Sequence, residues 1–466
     1  MSAPVLWIIL PLLVAATTFV ISNERFSVVM GGLTAAALGI TALLVPIDTA
    51  LLIGPVSLKI SSTLQVLGRA LVLSPADGSL LAIFYVLAAL WFFGAEAAGV
   101  ARRLVPLGLG ICALLIASIA VEPFLFAATF IEIAVLLAIP LIAPRGRPLG
   151  RGVIRFLVYQ TLAMPFILFA GWMLAGVEAS PGDLALTLQS ATMLGMGFAF
   201  LLAVFPLYSW MPLLAEDTAP YVMGFLLWAL PTITIIFGMS FLDRYTWLRS
   251  TPNLASALQT TGILMVVTGG IWSAFQKHMG RMMAYGAVVE TGFVILAIGI
   301  QPSLNGIEVA FLHLIPRGVG LAIWALSLTI IAGKTGSLSF SSVRGMVRVY
   351  PLASIGVVLA QLSTAGFPLL AGFPPRLALW EGLANQSLLL AFWLLIGILG
   401  VLFGAIRSLA VLVMAPEHTG WAWNEGWTQT LMLGAGIAIL FILGIFPQIM
   451  HPFLAKLPLI FTHLSQ

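Results

Sequence analysis

The chain has 466 residues, of which 61% are hydrophobic and only 8% charged, with a net charge of +4. A soluble domain carries about a quarter of its residues as charges, so a water-facing surface is excluded and the surface must face lipid. No cluster of Lys and Arg interleaved with aromatics is present, which excludes nucleic acid as a partner, and the single cysteine, Cys112, excludes an intramolecular disulfide and a cysteine-based metal cluster.

The apolar runs are continuous and do not alternate, which argues for helices and against a β-barrel. At roughly 20 residues per span the length predicts an all-α integral membrane protein of about fourteen transmembrane helices. The runs are cut at 4–22, 27–47, 79–99, 104–121, 123–143, 153–176, 184–208, 219–241, 255–275, 282–300, 307–332, 350–373, 387–412 and 429–450. Residues 4–22 lack a basic flank and a small-residue cleavage site, so they read as a first span and not as a removable signal. The connection 48–78 alternates in places (Val56, Leu58, Ile60) and predicts either a short hairpin or a surface helix. No Ser/Gly linker divides the chain, and residues 1–466 read as a single membrane domain.

Lys and Arg set the orientation. With the N-terminus outside, the cytoplasmic connections hold Arg25, Arg102, Arg103, Arg145, Arg147, Arg151, Arg155, Lys277, Arg281, Lys334, Arg344, Arg348 and Arg407. The outer side has Lys59, Arg69, Arg244, Arg249 and Lys456, a ratio of thirteen to five that also supports an even number of spans.

Two spans look broken. The seventh runs into Phe205-Pro206-Leu207-Tyr208-Ser209-Trp210-Met211-Pro212, and the twelfth contains Gly366-Phe367-Pro368 and Gly372-Phe373-Pro374-Pro375. Proline removes a donor and clashes with the preceding turn, so both helices should be interrupted. Interruptions five helices apart predict two inverted five-helix repeats, helices 4–8 (104–241) and 9–13 (255–412), with an ion path at mid-membrane. The alternative is that the prolines only kink their helices.

Charges inside the apolar runs carry the functional signal. Glu132, mid-span in the fifth run, is either a proton carrier or a protonated side chain hydrogen-bonded to a neighbouring helix. Glu290, about three turns beyond Arg281, is a second titrating site or the structural partner of a cation. His313 and Arg317, four apart, share a helix face. Histidine can shuttle protons near neutral pH, whereas Arg317 stays charged and acts as a fixed charge. Pro316 between them should distort the helix. Arg376 either snorkels to the surface or closes the ion path at its outer end, with Glu308 as a possible partner. Glu216 and Asp217 cap the next helix or contact another protein. No nucleotide loop, zinc-spaced His/Cys set or Ser/His/Asp arrangement is visible.

These residues resemble a family. From about 122 to 407 the chain is similar to the antiporter-like membrane subunits of respiratory complex I, the NADH:quinone oxidoreductase, and to the related Mrp cation/proton antiporters and membrane-bound hydrogenases. Glu132 falls where the family has its fifth-helix glutamate. The Phe205–Pro212 segment followed by Ala219-Pro220 resembles the seventh-helix segment, and Gly280-Arg281-Met282-Met283-Ala284-Tyr285-Gly286 the start of the tenth helix. His313-Leu314-Ile315-Pro316-Arg317 resembles a His-x-x-x-Lys pattern, and Leu362-Ser363-Thr364-Ala365-Gly366-Phe367-Pro368-Leu369-Leu370-Ala371-Gly372-Phe373 the twelfth-helix signature.

The resemblance implies fourteen helices with inverted repeats, and proton transfer along a mid-membrane row of Glu, Lys and His. It points to Glu132, Glu290, His313, Arg317 and Arg376 as path residues and to Pro206, Pro212, Pro368, Gly372 and Pro374 as elements of the breaks. The pattern departs where the seventh-helix lysine should stand, at Leu201. The eighth span has no Lys, Arg or His, and Arg317 and Arg376 replace lysines. The expected function is a proton-translocating subunit of a complex I-like oxidoreductase in a prokaryotic inner membrane, assembled with other membrane subunits. Its alternatives are a non-pumping scaffold subunit and an Mrp-type antiporter subunit. No flavin, iron–sulfur or haem motif is present, and no cofactor is expected.

Overall fold

In hydrocarbon a backbone finds no hydrogen-bond partner but itself, so continuous apolar runs wind into helices. The computed structural model describes residues 2–53, 56–66, 68–143, 148–180, 183–249, 253–300, 306–414 and 420–464. Arg145 and Arg147 lie outside the described residues. The spans in chain order are α1 (Val5–Ile21), α2 (Glu24–Leu44), α3 (Gly78–Ala97), α4 (Ala101–Ala120), α5 (Ala127–Ile142) and α6 (Arg151–Ala179). The seventh is split into α7a (Leu184–Leu201) and α7b (Trp210–Asp217), followed by α8 (Pro220–Arg244), α9 (Leu254–Phe275) and α10 (Met279–Ile298). Next come α11a (Gly306–Leu312), α11b (Leu314–Thr335), α12a (Pro351–Thr364), α12b (Phe373–Gln386), α13 (Leu388–Val413) and α14 (Trp427–Ile445). Among the described residues twelve helices are long and apolar enough to cross a membrane; α1 and the broken twelfth span complete fourteen passes.

Local chemistry sets several helix starts. Asn23 accepts from the Phe26 N–H at 3.1 Å, and Asp183 accepts from the Ala185 and Leu186 N–H groups. Glu425, from the loop before α14, accepts from the Leu352 and Ala353 N–H groups at 2.8 and 3.2 Å and so caps α12a from a distance.

The helices form two layers. In α3, α4, α8, α10 and α11, 72–89% of the apolar stretch is buried, against 22–44% in the other long helices, which form the lipid-facing ring. Neighbours recur in order: α4 packs on α5 and α8, and α9 packs on α10 and α13. The α9–α13 seam depends on glycine, because a methyl on Gly270 would run into the Gly397 carbonyl and one on Gly400 into the Gly270 carbonyl.

The 48–78 connection takes the hairpin alternative, twice. Strands β1 (Ala50–Ile53) and β2 (Val56–Lys59) pair antiparallel, and β4 (Arg69–Val72) pairs antiparallel with β3 (Thr63–Val66) on one side and β5 (Val121–Glu122) on the other. On the opposite, basic side, Arg102 donates to the Ser22 hydroxyl at 2.9 Å and Arg103 to the Pro140 carbonyl at 3.1 Å.

Both predicted breaks are present. The seventh span is interrupted from Leu202 to Ser209, with Ala203 at φ 49° and Pro206 inside the break, while Pro212 lies in the first turn of α7b. The twelfth is interrupted from Ala365 to Gly372, with Gly366 at φ 72° and Leu369 at φ 71°. Pro368 lies in this gap, and Pro374 sits in the first turn of α12b, where its missing donor costs nothing. Gly372 is obligatory, since a methyl there would overlap the Ser363 carbonyl oxygen. The eleventh span is distorted at one residue, with α11a ending at Leu312 and α11b starting at Leu314. Pro316 has no N–H to return to the Leu312 carbonyl, so the distortion expected of it appears one turn earlier, at His313.

Candidate functional site

One polar cluster lies between α10, α11 and the interrupted twelfth span. Glu290 comes from α10, His313 from the α11 break, Arg317 from the first turn of α11b and Arg376 from α12b, and each is at most 3% exposed. Arg376 Nη2 lies 2.7 Å from Glu290 Oε1, while His313 Nε2 contacts Glu290 Oε2. Both carboxylate oxygens are therefore engaged. Arg376 Nε donates to the Thr364 carbonyl at 3.0 Å, closing the end of α12a, and its guanidinium lies over the Phe293 ring at 4.2 Å. The same ring packs against His313 with centroids 4.5 Å apart. Arg317 Nη2 donates to the Leu227 carbonyl at 3.0 Å and to the Thr291 hydroxyl at 3.1 Å, bridging α8, α10 and α11b.

Several alternatives left by the sequence are resolved here. Arg376 does not snorkel and does not meet Glu308; it is buried against Glu290 because the Gly372–Pro375 turn starts α12b inside the membrane. Glu308 is exposed. Glu290 contacts both the Arg376 guanidinium and the His313 imidazole. The two arginines stay protonated and contribute fixed charge.

Glu132 is not part of this cluster. It sits on the ring helix α5, half-buried, where the exposed Thr161 donates to its Oε1 at 2.8 Å. α8 packs against α3 through Trp91, Tyr221, Phe225 and Trp228.

Gln160 was missed by the sequence reading. Only 3% exposed on α6, it donates through Nε2 to the Phe200 and Leu201 carbonyls at 3.3 and 3.2 Å. It closes the open end of α7a as Arg376 closes the end of α12a. An uncharged amide in an apolar run was the available signal. Gln361, in α12a and 1% exposed, was missed in the same way.

On the basic side, Arg281 Nη2 pairs with Glu216 Oε1 at 2.7 Å and ties the start of α10 to α7b. Glu216 and Asp217 do not cap α8, whose N-cap, Ala219, carries no side-chain bond. His278 Nδ1 accepts from the Arg281 N–H at 3.3 Å and caps α10. Burial pulls this imidazole below its ordinary value, against the opposing effect of Glu216. Among the described residues no group of His, Cys, Asp and Glu has the arrangement of a metal site.

Comparison with known proteins agrees with this architecture. The chain is 26% identical over 252 residues to the NAD(P)H-quinone oxidoreductase chain 4-3 of Nostoc sp., covering 50% of this chain and 43% of that protein. It is 23% identical over 312 residues to the NADH-quinone oxidoreductase subunit N of Dehalococcoides mccartyi, covering 63% of each. The matched stretch thus spans 43% to 63% of these relatives' length. Chains of similar fold occur in the archaeal membrane-bound sulfane sulfur reductase (TM-score 0.81, 16% identity, covering 100% of this chain and 99% of that one) and in respiratory complex I of Thermus thermophilus (TM-score 0.79, 20% identity, covering 99% and 100%). A third occurs in the Mrp complex of Dietzia sp. (TM-score 0.80, 16% identity, covering 100% and 99%). Residues 130–404 match the transmembrane family described as NADH:quinone oxidoreductase/Mrp antiporter, and the chain belongs to that family.

Proposed function

We propose that this chain is an antiporter-like membrane subunit of a complex I-like oxidoreductase, and that it transfers protons through its second half with Glu290 and His313 as the titrating groups. The observation that carries this reading is the buried contact of His313 Nε2 with a carboxylate whose other oxygen is held by Arg376 at 2.7 Å. Such a group keeps a proton acceptor fixed beside a proton donor, next to the interruption of the twelfth span. Family membership and relatives named as subunits of quinone oxidoreductases support partnership with other membrane subunits in a bacterial cytoplasmic membrane.

Proton flux in proteoliposomes tests the reading. Glu290→Gln and His313→Gln should each lower flux by roughly a hundredfold, the scale of a lost acid–base group. Wild-type flux in both variants, assembled normally, refutes it. Glu132→Gln asks whether the first half takes part, because Glu132 is bonded to the Thr161 hydroxyl and Leu201 stands where a lysine would pair with it. Those same two features favour a second reading, a scaffold subunit that keeps the fold without pumping, for which none of the three substitutions changes coupled proton transport.

A further inference from the structure

We propose that the segment leading into α14 binds an anionic phospholipid of the phosphatidylglycerol class in the basic-side leaflet, through Trp421, Trp423, Trp427 and Arg344. The three indoles are 73%, 61% and 78% exposed. Their backbone is nevertheless pinned. The Ala422 N–H donates to the Arg348 carbonyl at 2.8 Å and the Asn424 N–H to the Val349 carbonyl at 3.3 Å. N–H groups that turn the same way two residues apart mark an extended stretch, in which Trp421 and Trp423 share a face. Glu425 adds its two bonds to the start of α12a. The segment therefore holds large apolar rings outward at a fixed place, and such rings call for a cover.

Continuity with the lipid-facing surface and charge together select a lipid as that cover. On α13 the exposed residues Phe403, Ile406, Leu409 and Val413 recur at steps of three and four, forming a row that ends at the basic side. Trp427 and Leu431 head a second exposed row on α14, the least buried of the long helices. Rows of this kind face hydrocarbon, so the indoles stand at the depth of the headgroups, where an apolar ring with one polar N–H is most at home. Between α9 and α14 the basic end carries Lys277, Lys334, Arg344, Arg348 and Arg407 besides the paired Arg281. Among the described residues of that stretch, the carboxylate at this end is Glu425, which is turned inward. Arg344 is exposed and precedes the short turn Met346–Arg348, whose last carbonyl receives the Ala422 N–H. A guanidinium beside interfacial indoles suits a phosphodiester that brings no cation of its own. Phosphatidylcholine carries a compensating charge and gains less. The proposal rests on this surface and holds whether or not the chain moves protons.

The test compares the purified protein in phosphatidylcholine nanodiscs with and without added phosphatidylglycerol. The anionic lipid should raise Tm saturably, by about 2–3 °C once it exceeds its Kd about a hundredfold. Native mass spectrometry should find it retained in preference to phosphatidylcholine, and higher ionic strength should weaken that preference. Arg344→Gln should lower the apparent affinity about fivefold, the worth of one cation near an anionic lipid surface. Trp421→Ser combined with Trp423→Ser should remove the retained lipid. All three changes fall on exposed side chains, so Tm in phosphatidylcholine alone should stay at the wild-type value. Equal Tm and equal retention for the two lipids overturn the proposal, as does a preference for phosphatidylglycerol that survives both variants. Protection of Trp421 and Trp423 from hydroxyl-radical footprinting only when other membrane proteins copurify assigns the surface to a protein interface and overturns it too.

Discussion

Replacing Arg376 by methionine removes one partner of a buried ion pair and keeps most of the side-chain volume. The variant leaves Glu290 with its Oε1 unpaired in a site where both side chains are only 4% exposed. It also frees the Thr364 carbonyl, which had accepted from Nε at 3.0 Å, and removes the cation from the Phe293 face. Breaking a buried pair by removing one partner costs about 3–5 kcal/mol, most of it the desolvation of the charge left behind. At the usual unfolding entropy per residue, a chain of 466 residues changes Tm by about 1 °C per kcal/mol, so the expected loss is about 3–5 °C. The double variant Arg376→Met, Glu290→Leu removes the orphaned carboxylate and should recover about 2 kcal/mol relative to the sum of the single changes. Thermal unfolding of the four proteins in nanodiscs closes the cycle. Wild-type stability of Arg376→Met, or strictly additive losses in the double variant, refutes the idea that the two groups depend on each other.

Other variants probe separate parts of the structure. Gln160→Leu leaves the Phe200 and Leu201 carbonyls without their side-chain donor and should cost about 1–3 kcal/mol in chemical or thermal unfolding. Glu132→Gln keeps an acceptor for Thr161 and should stay within about 1 kcal/mol of wild type in the same assay. Gly366→Ala, at φ 72° and with its methyl 2.6 Å from Arg376 Cγ, should lower the yield of monodisperse protein, since the αL penalty of about 1–2 kcal/mol adds to displacement of the arginine. His278 links stability to pH. Its folded value is depressed, so its contribution is complete above the unfolded value near 6.5 and is lost as pH falls through the depressed folded value. His278→Asn keeps a capping acceptor without titrating, and the slope of Tm against pH in that window should flatten.

The membrane class, the number of passes and the two proline-marked breaks were legible because lipid imposes strong rules: long apolar runs, and proline where a helix stops. The break at His313 was less visible because its cause, Pro316, acts on a carbonyl one turn away and the break keeps no glycine signature. The partner of Arg376 could not be read from spacing. Glu290 stands 86 positions away, and only the inward start of α12b brings the two side chains together. For Glu132, burial within the bundle is decided by which face of α5 turns inward, and an evenly apolar helix does not mark that face. Gln160 and Gln361 carry no charge and so give a weaker signal in an apolar run, although an amide in lipid needs a partner almost as much.

The glycine seam between α9 and α13 also has a history in time. Gly270 meets Gly397 and Gly400, residues made some 130 positions later, roughly 6–25 s after α9 leaves the ribosome at ordinary synthesis rates. During that interval α9 must stand in the bilayer with its glycine face covered by lipid alone. The second half therefore cannot lock until its last helix is inserted, and a chain truncated before α13 leaves α9 without its partner, ready for membrane quality control to remove.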